Sequence, residues 1–135
     1  MRFINNTSDL SKYLRIRIEN QALIKSISTD TRTIKKGSLF IAIKGKNFNG
    51  NDYVQDAFKK GAVIALVDDL RFKDSKNKKI VYVKNTIESL TKIGKNIIKD
   101  FEGKVIAITG RNGKTSTTSI VADSLRKVST TIENF

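Results

Sequence analysis

The segment that most restricts the fold is Ala62-Val63-Ile64-Ala65-Leu66-Val67, a short run without a polar side chain. So apolar a run reads as a strand buried on both faces, as in a parallel sheet covered by helices on either side. Its surroundings fit. Upstream, Val54, Ala57 and Phe58 share one face of a helix expected over 53–60 and capped by Asp52, and Gly61 suits a left-handed helix end. A further strand is expected over 38–43, after the turn signal Lys36-Gly37, with a weaker edge strand over 22–29 and another over 80–83. Residues 44–52 read as a loop and 68–79 as a charged solvent loop. The N-terminal helix, 7–14, has Thr7 or Ser8 as its cap and Asp9 in its first turn. The clearest helix, 86–101, places Ile87, Leu90, Ile93, Ile97, Ile98 and Phe101 on one buried face. A last buried strand is expected over 104–109, then a helix from near Lys114 to about Val128.

Strands alternating with helices predict an α/β fold. The expected boundary lies near Gly103. Residues 1–102 have the size and pattern of one compact α/β domain, whereas 103–135 hold one strand–loop–helix unit that cannot bury its own faces. The second segment therefore reads as the opening of a larger domain.

The chain has neither cysteine nor histidine, which excludes disulfides, thiolate metal sites and imidazole catalysis within it. No apolar run approaches the roughly 20 residues needed to span a bilayer, and the first ten residues lack the apolar core of an export signal. A cytoplasmic, monomeric protein without membrane insertion is expected. The net charge of +13 admits nucleic-acid binding, phosphorylated small-molecule ligands or simply a lysine-rich solvated surface. The lysines are scattered and not interleaved with aromatic stacking platforms, so no nucleic-acid partner is expected.

The chemistry is concentrated at Thr109-Gly110-Arg111-Asn112-Gly113-Lys114-Thr115-Ser116. A strand, a glycine turn, a lysine and hydroxyl residues opening a helix make an anion site. Unpaired helix N–H groups face the phosphates, and glycine lets the backbone approach them. Lys114 would meet the outer phosphates, Thr115 would complete a magnesium shell and Ser116 would donate to a phosphate oxygen. The general phosphate-loop pattern has four residues before Gly-Lys; here only Arg111 and Asn112 intervene after Gly110. The plainer alternative is a strand-to-helix turn with an exposed lysine. Against it stands the run Thr115-Ser116-Thr117-Thr118-Ser119, poor for a helix interior but apt around a phosphate.

At this shortened loop the sequence resembles the Mur ligases, ATP-dependent amide ligases of peptidoglycan precursor synthesis, whose loop reads Thr-Gly-x-x-Gly-Lys-Thr/Ser. A second segment is similar to the same family: Thr29-Asp30-Thr31-Arg32, then Lys36 through Gly45, then Asn49-Gly50-Asn51-Asp52. The family pattern there is Asp-Ser-Arg, Gly-Asp-Leu-Phe, Lys-Gly and Asp-Gly-His-Asp. Asn47-Phe48-Asn49-Gly50, Glu102 through Val105, and Glu133-Asn134-Phe135 look most like members that add D-alanyl-D-alanine, ahead of those adding the third residue. Lys36 replaces a proline, Asn49 and Asn51 replace the aspartate and histidine, and Arg111 replaces a small polar residue.

The resemblance implies a UDP-sugar domain over 1–102, with substrate contacts at Thr31, Lys46, Asn47 and Phe48; the plainer alternatives are a turn hydroxyl for Thr31 and a core anchor for Phe48. Arg32 would serve there as an internal ion pair or carbonyl ligand. It also implies the start of a central ATPase domain over 103–135, binding ATP through Gly110 to Ser116 and Mg2+ at Thr115, with Lys114 as the catalytic residue. The implied reaction joins D-Ala-D-Ala to the activated carboxylate of UDP-MurNAc-tripeptide. A third-residue ligase and a non-catalytic UDP-sugar-binding fragment are the alternatives. The family's later magnesium-binding glutamate and histidine, carbamylated lysine, adenine site and C-terminal domain have no counterpart here, so this chain alone is expected to be inactive.

Overall fold

The computed structural model describes residues 4–128 and 131. The segment Glu133-Asn134-Phe135 lies outside the described residues. The chain divides into two compact units, Met1–Glu102 and Gly103–Phe135.

The first unit is built on four parallel strands, β1 (Ser26–Ser28), β2 (Ser38–Ile41), β3 (Ala62–Val67) and β4 (Ile80–Tyr82), in the order β1-β2-β3-β4. β3 is central, with Leu39 opposite Ile64 and Ala65 opposite Ile80, and Ile64 to Val67 are fully buried. Strand period two sorts the side chains onto two faces. Leu39, Ile41, Ile64 and Leu66 join one core with Leu10 and Leu14 of α1 (Thr7–Leu14) and Ile93 of α3 (Thr86–Lys99). Phe40, Ala42, Ala65 and Val67 join the other with Val54 and Ala57 of α2 (Val54–Lys59). Burying a side chain such as Leu66 contributes about 1.5–3 kcal/mol.

Several local expectations are corrected. Neither Thr7 nor Ser8 caps α1; Asn6 does, its side chain accepting from Asp9 N at 2.9 Å. Thr7 is engaged elsewhere, its Oγ1 accepting from Ala22 N and its own N–H donating to Ala22 O. Asp52 does not cap α2. The chain enters a 3-10 turn at Gly50–Tyr53, capped by Asn49, because Gly50 N donates to Ile43 O and starts the turn early. Gly61 does adopt a positive φ, 109°, and a Cβ there would lie 2.9 Å from Lys36 Cα. The loop after β3 is not wholly solvated: Asp68 is half-buried and Leu70–Phe72 form a 3-10 turn.

α3 starts with Asn85 as its cap and buries Thr86, Ser89 and Ile93, with Leu90 and Ile97 half-buried. Ile87 and Ile98 are 53% and 61% exposed. At about 100° per residue they lie on a stripe turned away from the Thr86–Ile93–Ile97 line, so the buried face is narrower than the sequence suggested. Near its end, Tyr13 Oη donates to Asp100 Oδ2 at 2.8 Å, tying α1 to α3. That bond, more than burial, pushes the phenol up to about 12.

The second unit holds α4 (Lys114–Arg126). The strand expected over 104–109 is absent: the segment takes no strand conformation, and Val105 and Ile106 are 62% and 59% exposed. A strand is held by ladder bonds to a neighbour, and among the described residues this unit offers none.

Candidate functional site

Two places hold the residues singled out by sequence, one in each unit. In the first unit a cleft of about 490 Å³ is lined by Thr29, Asp30, Thr31, Arg32, Phe40, Phe48, Gly50 and Tyr53. Two segments supply most of it. One follows the C-terminal end of β1, the other comes from the loop after β2. Open parallel sheets take ligands outside the carboxyl ends of their strands, because the chain leaves the sheet there and side chains converge.

The Thr29–Arg32 segment is fixed by its own hydrogen bonds. Ser28 Oγ donates to Asp30 O at 2.8 Å, and Asp30 Oδ1 accepts from Arg32 N at 2.8 Å, a side-chain turn typical of aspartate. The Arg32 guanidinium then grips the same carboxylate, Nη2 to Oδ2 at 2.6 Å and Nε to both oxygens. The Arg32 hydrogen bonds hold the Asp30 carboxyl down to about 2. Arg32 is thus first an internal ion-pair residue, one of the two roles expected of it. Thr31, half-buried, also bonds Asp56, whose carboxyl lies below its ordinary value chiefly through Lys60 and further through Thr31.

The second wall is a tight loop. Lys44 bridges Asn49, and Gly45 N donates to Phe48 O at 2.9 Å. The Phe48 ring lies on Gly45, where a Cβ would come within 2.5 Å of its Cε1. Phe48 is 55% exposed, so it is a surface aromatic on the cleft and not a core anchor. Of the four expected contact residues, Thr31 and Phe48 line the cleft together. Lys46 and Asn47 are exposed on the same loop but do not line it. Phe40 and Gly50 fall within the segments that carry the resemblance but are not among the expected contacts, and neither is Tyr53. Tyr53 was read only as a helix residue, and it reaches the cleft because the helical turn starts at Gly50.

Asn51, which stands where the family pattern has histidine, has a use of its own. Asn51 is buried, 2% exposed, and its side chain bonds Asp68 and Asn49 instead of facing solvent. Burial works to raise the Asp68 carboxyl, but bonds from Asn51 and Thr86 overcome it and leave the group below the usual range. On the surface nearby, Arg71 joins Asp52 and Asp69 at 2.6 and 2.8 Å.

In the second unit, Gly113 caps α4 with φ 74° and no side-chain cap bond. Thr117 N donates to Gly113 O, the first helical bond, and the preceding N–H groups of the helix are left for other acceptors. Lys114 Nζ folds back to donate to Gly110 O at 2.6 Å. Arg111, Asn112, Thr115 and Ser116 are all exposed. Thr118 and Ser124 return their hydroxyls to carbonyls one turn back, which is how a hydroxyl-rich segment persists as a helix. The turn can hold an anion: free N–H donors, an ammonium and two hydroxyls meet where the helix dipole is positive. Among the described residues no cluster of acidic side chains could hold a metal by itself. The donor set at Thr115 therefore fits Mg2+ only as a cation held mainly by phosphate and water oxygens.

Comparison with known proteins adds three kinds of likeness. A family model described as "Mur ligase family, catalytic domain" matches residues 23–101. The UDP-N-acetylmuramoyl-tripeptide–D-alanyl-D-alanine ligase of Rickettsia prowazekii is 40% identical over 115 residues, covering 83% of this chain and 24% of that protein. The UDP-N-acetylmuramoyl-L-alanyl-D-glutamate–2,6-diaminopimelate ligase of Rickettsia rickettsii is 36% identical over 99 residues, covering 73% of this chain and 20% of that protein. Among solved structures, the MurF ligase of Thermotoga maritima in complex with ADP matches with a TM-score of 0.63 and 27% identity, over 77% of this chain and 24% of that one. The chain therefore spans between a fifth and a quarter of the length of these relatives.

Proposed function

The chain belongs to the Mur ligase family, and on that premise we propose that it forms the UDP-sugar-binding part, residues 1–102, and the first ATP-binding elements, residues 103–135, of a cytoplasmic peptidoglycan-precursor ligase. The whole protein would join D-Ala-D-Ala to UDP-MurNAc-tripeptide, using ATP and Mg2+.

The observation that supports this best is the cleft. Thr29–Arg32 and Phe48–Tyr53, distant in sequence, meet at one end of a parallel sheet. Its chemistry suits a uridine diphosphate. Phe48 and Tyr53 offer exposed aromatic faces for the base, the Thr29 and Thr31 hydroxyls suit ribose or phosphate oxygens, and Arg32 keeps Nη1 after spending Nε and Nη2 on Asp30. At the glycine turn, Lys114 and the N–H groups opening α4 would bind the phosphates of ATP, with Thr115 beside the Mg2+. ATP supplies the phosphoryl group that activates a carboxylate. The chain's own part in that chemistry is positioning and charge neutralisation, with Lys114 as the candidate catalytic group.

Isothermal calorimetry of the 135-residue chain tests the reading. UDP-MurNAc-tripeptide should bind saturably, and Phe48→Ala should weaken it by about tenfold, the loss of a stacking face. Lys114→Ala should remove ATP binding and leave UDP binding unchanged. Absence of any saturable uridine-nucleotide heat would defeat the proposal. The third-residue ligase reading, favoured by the similarity to the diaminopimelate ligase, predicts preference for the UDP-MurNAc-dipeptide over the tripeptide. Ligation of D-Ala-D-Ala by this chain alone is not expected; detecting it would refute the assignment of the remaining catalytic groups to other parts of the protein.

A further inference from the structure

Beside the cleft wall lies a polar strut between buried Asn51 and half-buried Asp68. Asn51 Nδ2 donates to Asp68 Oδ1 at 3.0 Å, and Asn51 Oδ1 accepts from Asp68 N at 3.2 Å. The pair is reciprocal, so it fixes both distance and orientation between the two segments. Asp68 Oδ2 accepts from Thr86 N at 3.2 Å and Thr86 Oγ1 at 3.0 Å, anchoring the strut where β3 ends and α3 begins. At the other end, Asn49 Oδ1 accepts from Asn51 N at 3.1 Å and Asn51 Nδ2 at 2.8 Å.

Asn49 closes the loop that carries Phe48, and Gly50 N is bonded to Ile43 O. A Cβ at Gly50 would lie 2.6 Å from Ile43 N and O, so this part of the wall has no slack. The Arg71 bridge from Asp52 to Asp69 spans the same two segments, but its side chain is 60% exposed and the bridge is screened by water. The Asn51–Asp68 pair, with Asn51 buried and Asp68 half-buried, is the tie that solvent screens less.

We propose that Asn51 and Asp68 are positioning residues: without touching ligand, they hold the 44–50 loop so that Phe48 and Gly50 face the cleft. The consequence for binding rests on the uridine-nucleotide reading above. The consequence for the loop does not.

The test uses the 135-residue chain with UDP as probe, and amide hydrogen exchange read by NMR. Asn51→Asp sets a carboxylate against Asp68 and Asn49. Adding Asp68→Asn exchanges the partners' roles at one end: the carboxylate at position 51 accepts from the backbone and amide of position 68, whose carbonyl oxygen still accepts from Thr86, while the side-chain bond to Asn49 is not restored. Asn51→Asp should weaken UDP by at least about tenfold and speed exchange at Gly45 and Gly50 by a similar factor, with Ile64 and Leu66 unchanged. The double substitution should recover both readings by at least about threefold relative to Asn51→Asp, the side-chain bond to Asn49 remaining unmade.

Unchanged exchange at Gly45 and Gly50 in the single variant overturns the proposal, as does a folded double variant with no recovery. If Asn51→Asp unfolds the unit, Asn51→Ala should give the same local loosening without charge repulsion, and its failure to do so overturns the proposal equally. If the unsubstituted chain takes up no UDP, the nucleotide-sugar reading falls, while exchange at the two glycines still decides this one.

Discussion

Val63-Ile64-Ala65-Leu66 and Val105-Ile106-Ala107-Ile108 differ by a single conservative change. The first lies in β3: Ile64, Ala65 and Leu66 are fully buried, and Ala65 and Leu66 are paired to both β2 and β4. The second takes no strand conformation, and three of its four residues are exposed. Intrinsic preference cannot separate them. β-Propensity expresses how a side chain fits a pleated, half-buried surface, and that surface must be supplied by neighbours. The first unit supplies two neighbouring strands and helices on both faces. In the second unit α4 buries only Ala122.

The sharpest way to break this comparison is hydrogen exchange. Amides of Ile64 to Val67 should exchange at least about ten-thousand-fold more slowly than those of Val105 to Ile108, the span between global and local opening. Similar protection in both tetrapeptides would defeat it. Next in size are paired truncations followed by urea unfolding. Leu66→Ala should cost about 2–5 kcal/mol, whereas Ile106→Ala should stay within about 0.5 kcal/mol.

The two punctuating glycines extend the contrast at smaller scale. Gly61 and Gly113 both have positive φ, but a Cβ at Gly61 meets Lys36 Cα at 2.9 Å while one at Gly113 meets nothing within 4 Å. Gly61→Ala should therefore cost about 2–3 kcal/mol, through strain and crowding together, and Gly113→Ala only about 1 kcal/mol, read by urea unfolding and by helical circular dichroism respectively.

The smallest effects are those of pH. The Asp30 and Asp69 carboxyls, held by Arg32 and Arg71, lie at about 2. Their folded values are depressed, so their contribution is complete above about pH 4 and is lost as pH falls from there toward 2. Tyr13 runs the other way. Raised to about 12, its contribution is complete below about pH 10 and disappears as pH rises through 12. Urea midpoints of the first unit should fall at both ends, and Tyr13→Phe should flatten only the alkaline side.

The sheet was legible because its signals are local. The Ala62–Val67 run has strand bounds that coincide with the sequence reading, and Thr7–Leu14 likewise. What escaped depends on partners that sequence spacing does not reveal. Thr7 lost its capping role to a pairing with Ala22, fifteen positions away. Asp52 was drawn to Arg71 and Asp68 to Asn51, so two residues read as cap and solvent loop became ties between segments. At the site, the Thr31 and Phe48 segments could be singled out by pattern, but the convergence of Tyr53 with them follows from Gly50 bonding back to Ile43. The segment 104–109 is the same lesson from the other side: an apolar pattern states what a segment can join, and among the described residues of its unit no strand stands beside it.

In the order β1-β2-β3-β4 every strand lies beside the one before it in sequence. Synthesis from the N-terminus therefore delivers the sheet in its order of assembly. As each strand emerges from the ribosome, the edge it needs has already been made, and no strand must be threaded between two others. Only the meeting of α1 with α3 has to wait, since Tyr13 and its partner Asp100 sit at opposite ends of the unit's chain. A nascent chain could thus lay down its sheet strand by strand and fasten the first helix last.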